Sequence, residues 1–128
     1  MVVPRLLITD DDRALCRAIA EVFRNLGLDI ATAGDGDEAI SVIESGHIHL
    51  IVLDMHMPRV SGLEVMRHVR SRDGDLPFIL MSAALDESIE REAEQMHAYR
   101  VLSKPLRVTT LRETVMQGLH EVYGWKAN

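Results

Sequence analysis

Cysteine is almost missing from this 128-residue chain: Cys16 stands alone, so no internal disulfide staples the fold. No apolar run approaches the ~20 residues needed to cross a bilayer, which excludes a membrane-spanning helix. The opening Met1-Val2-Val3-Pro4-Arg5 lacks the basic start and apolar middle of a secretory signal, and the cytoplasm is the expected location. Basic residues are few and scattered, 14 against 20 acidic ones for a net charge of −6. That balance disfavours direct binding of nucleic acid, whose phosphates are held by clustered Lys and Arg. The densest basic group, Arg67, Arg70 and Arg72 beside His68, has helical spacing and reads as a solvated helix face. Internal repeats, low-complexity tracts and linkers are absent. One domain over residues 1–128, with its core at about 4–123, is expected.

What the chain does have is alternation. Short apolar runs at Leu6 to Thr9, Leu28 to Ala33, Leu50 to Leu53, Phe78 to Ser82 and Ala98 to Leu102 are separated by amphipathic stretches. This is the pattern of an α/β protein in which helices cover both faces of a five-stranded parallel sheet. The second and fifth runs are the most polar and suit the sheet edges. The first helix is expected to bury a stripe of Leu15, Ile19, Val22 and Leu26, with Asp12 as N-cap and Gly27 as stop. The second runs from about Asp37 to Glu44 before Gly46, the third from about Ser61 to Arg70, the fourth from about Glu87 to Met96. The fifth carries Leu111, Val115, Leu119 and Val122 at helical spacing. Right-handed crossovers place every strand's C-terminal end on one edge, where ligands bind; Asp10, Asp11, Asp54, Ser82 and Lys104 all fall there.

Three carboxylates in a row, Asp10-Asp11-Asp12, close the first run, and Asp54 closes the third. Such groups repel one another unless something positive lies among them, either a divalent cation or Lys104. Asp10, Asp11 and Asp54 offer the hard oxygens that Mg²⁺ prefers, with room for the waters it gives up reluctantly. Ser82 adds a hydroxyl, the residue after it a backbone N–H, and Lys104 an ammonium suited to a phosphoryl oxygen. Together these describe phosphoryl chemistry.

The residues that carry it are Leu6-Leu7-Ile8-Thr9-Asp10-Asp11-Asp12, then Leu50-Ile51-Val52-Leu53-Asp54-Met55-His56-Met57-Pro58 with Gly62, then Phe78-Ile79-Leu80-Met81-Ser82-Ala83, and finally Lys104-Pro105. In this order and spacing the chain resembles the receiver domain of two-component response regulators over nearly its whole length. The resemblance implies a CheY-like, flavodoxin-like sheet of order 2-1-3-4-5. It implies that Asp54 is the phosphoacceptor, attacking the phosphohistidine of a sensor histidine kinase or a phosphotransfer protein. Asp11, Asp54 and the backbone carbonyl of His56 would bind Mg²⁺ directly, and Asp10 mainly through water. Ser82 would be the switch hydroxyl, Ala83 would donate its N–H, Lys104 would pair with another phosphoryl oxygen, and Pro105 would follow a cis bond. The readout would lie on the fourth helix, fifth strand and fifth helix, a face open to a downstream protein, an output domain or a dimer partner. By the same token the chain is a signalling domain and no enzyme beyond its own phosphoryl transfer and dephosphorylation.

Two positions depart from that family pattern, and two more fall where the family tunes lifetime. The aromatic usually found three residues before the lysine is Val101. Tyr99, two residues earlier, is expected on the same strand face, but takes no switching role here. The usual Gly-Ala before the last strand reads His97-Ala98. Two residues past the acceptor stands His56, and two past Ser82 stands Ala84; His56 is the candidate for setting acyl-phosphate lifetime. Plainer roles suit other residues: Asp12 as a helix cap, His47 and His49 as a polar turn, His68, His97 and His120 as surface groups, and Met55, Met57, Met66 and Met81 as packing. Two other functions compete. A haloacid-dehalogenase-like phosphohydrolase would use Asp10 as nucleophile and Asp12 as acid and base. A receiver-like docking module would signal without phosphate.

Overall fold

A computed structural model describes residues 3–84 and 86–127. The strands are β1 (Arg5–Thr9), β2 (Asp29–Ala33), β3 (Leu50–Asp54), β4 (Phe78–Ser82) and β5 (Arg100–Ser103). They alternate with α1 (Arg13–Asn25), α2 (Gly36–Glu44), α3 (Gly62–Arg72), α4 (Glu87–Gln95) and α5 (Val108–Tyr123). All pairings are parallel and the sheet order is β2-β1-β3-β4-β5, as expected. The two polar runs form the edges.

Side chains alternate across the sheet and so build two apolar layers. Leu6, Ile8, Leu50, Val52, Ile79 and Met81 face α1 and α5, meeting Ile19, Phe23, Leu111, Val115 and Leu119. Leu7, Ile51, Leu53, Phe78 and Leu80 face α2, α3 and α4, meeting Ala39, Val65, Met66, Val69 and Ala93. Central strands buried on both faces explain why β3 and β4 read as unbroken apolar runs. The methionines at 55, 57, 66 and 81 are all buried in this packing.

Four helices start on a side-chain cap. Asp12, Asp35, Ser61 and Asp86 accept from the N–H groups of Leu15, Glu38, Glu64 and Ile89. Asp35 thus starts α2 one residue before the expected Asp37. The buried face of α1 is also rotated from expectation: Cys16, Ile19, Ala20 and Phe23 are buried, whereas Leu15, Val22 and Leu26 lie half-buried at its margins. The small Cys16 and Ala20 let the helix sit close to the sheet, while the larger residues wrap its shoulders. On α5 the stripe ends at Leu119, and Val122 is 44% exposed, since the helix runs past the end of the sheet. α4 has the least grip, with Ala93 its one buried residue. Each large buried apolar side chain contributes about 1.5–3 kcal/mol, so α4 is the helix most cheaply moved. No helix among the described residues is long and apolar enough to cross a membrane.

The arginines of α3 are not merely solvated. Arg67 pairs with Glu92 of α4 at 2.9 Å and Arg72 with Glu44 of α2 at 3.2 Å. The Arg70 guanidinium lies 4.7 Å over the Phe78 ring and donates to the carbonyls of Met96 and Leu76 at 2.7 Å each. Burial in this position pushes its pKa down. The carbonyl of His97 takes a further bond from it at 3.3 Å. His97 itself has φ +58°, so the histidine adopts the left-handed backbone that glycine enters more readily. The turn is therefore kept despite the departure from Gly-Ala. His49 is tied into its surroundings: its Nδ1 accepts from the Arg5 N–H at 2.9 Å and its carbonyl accepts from the Tyr123 hydroxyl at 2.7 Å.

Candidate functional site

The C-terminal ends of β1, β3, β4 and β5 deliver the five expected side chains, Asp10, Asp11, Asp54, Ser82 and Lys104, to one edge. Asp10 follows β1 and is 1% exposed; Asp54 ends β3 and is 2% exposed; Ser82 ends β4 and is fully buried. Lys104 follows β5, where its N–H is held by the Ser82 carbonyl at 2.9 Å. The Lys104 ammonium lies 2.6 Å from Asp10 Oδ2 and 3.3 Å from Asp54 Oδ2. The following Lys104–Pro105 peptide is cis, as the motif implied.

One oxygen from each of Asp10, Asp11 and Asp54 lies within 4.8 Å of the others. Both Asp10 oxygens already have partners, since Oδ1 accepts from the Asp12 N–H at 3.0 Å. Asp11 is exposed at the mouth of the site. Asp12 caps α1, its Oδ1 accepting from the Leu15 N–H at 3.1 Å. Three carboxylates facing one ammonium leave an excess of negative charge, and an all-oxygen donor set of this kind suits Mg²⁺. A cleft of about 500 Å³ opens beside them, lined by Asp10, Asp11, Asp12, Ala83, Lys104 and Pro105 among others.

Electrostatics mark Asp54 as the strained member. Burial pushes its carboxyl above the usual range, and the nearby Asp10 charge adds to this, against the opposing pull of the His56 N–H and Lys104. For Lys104 burial acts downward, yet the bond to Asp10 and the charges of Asp54 and Asp10 carry its pKa up overall. Cys16, buried behind the site, donates to the Asp10 carbonyl at 3.4 Å. Burial and the Asp10 charge push its thiol up to about 11, which leaves it inert.

Two supports hold the end of β3 at Asp54. Thr9, fully buried, donates its hydroxyl to the Val52 carbonyl at 3.2 Å and accepts from the Asp54 N–H at 3.1 Å. Its only sequence signal was a hydroxyl in an apolar strand, just before the acid run. Gly62 opens α3 directly against β3: a Cβ there would lie 2.5 Å from the Asp54 carbonyl oxygen and 2.9 Å from Met55 Cα. Only glycine permits that approach. The loop between β3 and α3 is further tied down by Arg59, which donates to Asp35 at 2.8 Å.

Ser82 and its neighbours are less simply arranged. Among the described residues, the Ser82 hydroxyl accepts from the Ala84 N–H at 3.2 Å and lies 3.1 Å from His56 Nε2, and no bond joins it to Asp54. His56 also donates its N–H to Asp54 Oδ1 at 3.2 Å. Val101 is half-buried in the layer that holds Ile89, Ala93 and Met96 of α4. Tyr99 is not on its face. It packs in the opposite layer and donates its hydroxyl to Glu121 of α5 at 2.6 Å. The expected shared face fails because β5 begins only at Arg100, so Tyr99 lies outside the strict strand alternation.

A family model described as the response regulator receiver domain matches residues 6–116. Response regulator RR06 of Streptococcus pneumoniae is 30% identical over 92% of this chain and 54% of its own length. Response regulator MprA of Mycolicibacterium vanbaalenii is 40% identical over 70% of this chain and 38% of its own length. The chain thus spans about half or less of these curated relatives. Among solved structures, a CheY-like receiver domain protein of Methanospirillum hungatei superposes with a TM-score of 0.91 at 20% identity, covering 96% of this chain and 98% of that one. TrrA of Thermotoga maritima, crystallised with Mg²⁺ and BeF, gives 0.81 at 30% identity over 91% of this chain and 100% of its own. The chain belongs to the response regulator receiver domain family of two-component systems.

Proposed function

We propose that Asp54 accepts a phosphoryl group from a sensor histidine kinase or phosphotransfer protein, and that the change is read on the face formed by α4, β5 and α5. The observation that carries this reading is the pairing of a buried carboxylate with an ammonium at 3.3 Å beside two further carboxylates. Asp54 attacks phosphorus through a carboxylate oxygen and forms an acyl phosphate; the donor's nitrogen leaves with the bonding electrons. Asp11, Asp54 and the His56 carbonyl would hold Mg²⁺ directly and Asp10 mainly through water, and the ion would offset charge on the transferring oxygens. Lys104, whose ammonium lies 3.3 Å from Asp54, pairs with a phosphoryl oxygen in this reading, and Ala83, a residue lining the same cleft, donates its N–H to another. Ser82 moves in to donate to another oxygen, drawing the start of α4 with it. The shallow anchoring of α4 supports that last step. Residues 1–128 act as one receiver unit in the cytoplasm, with output through a downstream protein, a further domain or a second copy.

Incubation with acetyl phosphate and Mg²⁺ tests the reading. The expected product is the chain plus one phosphoryl group by intact mass, stable in acid, lost in base and absent in Asp54→Asn. Phosphate release that depends on Asp10 would instead support a hydrolase, and neither adduct nor turnover a docking module.

A further inference from the structure

His56 touches both ends of the proposed switch. Its backbone N–H donates to the acceptor carboxylate at 3.2 Å, and its ring nitrogen Nε2 lies 3.1 Å from the Ser82 hydroxyl. The hydroxyl has one proton and two lone pairs, and the Ala84 N–H already engages one lone pair. With His56 in place two of the three hydrogen-bonding positions of Ser82 are engaged, and among the described residues neither is engaged by Asp54. No aromatic ring on β5 takes part, since position 101 is valine and Tyr99 is committed to Glu121 in the other layer.

We propose that His56 is a positioning residue that latches the Ser82 hydroxyl in the resting state, so that the switch opens by breaking the bond between imidazole and hydroxyl. This rests on Asp54 being the phosphoacceptor. For Ser82 to reach a phosphoryl oxygen on Asp54 it must leave the ring, and Ala84 travels with it because its N–H is bonded to the same oxygen. The latch thus links the loop after β3 to the loop after β4 directly, and does so upstream of α4. In a chain whose β5 supplies no swinging aromatic, the imidazole takes the place of that restraint from the opposite side of Ser82.

The test is a titration with beryllofluoride at saturating Mg²⁺, followed by backbone amide resonances, on the wild type and on His56→Ala, Ser82→Ala and the double variant. A net hydrogen bond lost from the resting state alone tightens beryllofluoride binding by about three- to tenfold in His56→Ala. The Ala83 and Ala84 amides of the free variant shift part of the way toward their bound positions. In the Ser82→Ala background the same substitution changes affinity by less than about twofold, because the hydroxyl it acts through is gone. Unchanged or weaker binding in His56→Ala overturns the latch, as does an equal gain with Ser82 absent. A wild-type chain that binds no beryllofluoride, or an Asp54→Asn chain that binds it as well as wild type, overturns the acceptor reading and the latch with it. Tyr99→Phe serves as a control on the aromatic route and leaves the titration unaltered.

Discussion

Thr9→Val isolates the support of β3 at Asp54. Valine keeps the β-branched shape, so the change leaves no large cavity, but the Asp54 N–H loses the oxygen that receives it at 3.1 Å. Because that residue is 2% exposed, water cannot take the place of the hydroxyl. An orphaned buried donor costs about 1–3 kcal/mol, which for a domain of this size lowers Tm by roughly 4–12 °C. Thr9→Ser separates the hydroxyl from the methyl. It keeps the bridge between Val52 and Asp54 and gives up one packed methyl, worth about 0.5–1.5 kcal/mol. The functional arm is the initial rate of adduct formation from acetyl phosphate, measured where both variants are folded. A carboxylate released from its backbone anchor no longer meets the phosphoryl group in line, and the valine variant is expected to slow by about tenfold or more while serine stays within about threefold. Equal melting temperatures and equal rates for the two variants would refute the idea that this hydroxyl positions the acceptor.

Other perturbations test neighbouring steps. Gly62→Ala forces a Cβ onto the Asp54 carbonyl, and since the obstacle is backbone the start of α3 must move; a loss of about 1–3 kcal/mol is expected in denaturant unfolding, together with weaker Mg²⁺ binding. Asp54→Asn is expected to raise Tm at neutral pH without Mg²⁺. The folded-state carboxyl has a raised pKa, so its ionised form is worse placed in the fold than in water, and that liability develops as pH rises from the ordinary carboxylate value through the raised one. The gain therefore shrinks in melts run below the ordinary value, and it shrinks again when saturating Mg²⁺ stabilises the wild type by mass action. Arg70→Met removes four carbonyl partners and the stack on Phe78, and is expected to lower Tm more than Arg67→Met, whose exposed pair with Glu92 contributes about 0–1 kcal/mol. Cys16 should resist a thiol reagent in the native state at pH 8 and react fully on unfolding; rapid native labelling would contradict its burial and its pKa of about 11.

The sheet was legible because its physics is local and repetitive. Strands buried on both faces must be apolar throughout, and edge strands need not be, so β2 and β5 declared their positions through Asp29, Thr32 and Arg100. The cap Asp12 was legible because an Asp immediately before a first helical turn has few other places to send its oxygen, whereas the caps Asp35, Ser61 and Asp86 emerged only with the structure. What periodicity missed was the centre of a helix face. In α1 the apolar residues span a wide arc, and only the fit against β1 and β2 decides that Cys16, Ala20 and Phe23, rather than Leu15 and Leu26, point inward.

At the site, residue types announced themselves and bonds did not. Asp10, Asp54 and Lys104 follow strands whose order in the sheet brings them together, so their meeting follows from topology alone. Thr9 and His56 act through contacts 45 and 26 residues away in the chain, which no local pattern reports. Tyr99 failed in the opposite sense: a correct rule of strand alternation was applied one residue beyond the strand it governs. These cases share a cause. A side chain's role here depends on which neighbour completes its hydrogen-bonding capacity, and that neighbour is chosen by the register between adjacent strands. Thr9 opposite Leu53 leaves the Asp54 N–H facing a hydroxyl, and a shift of that pairing by one residue would take that hydroxyl away from it.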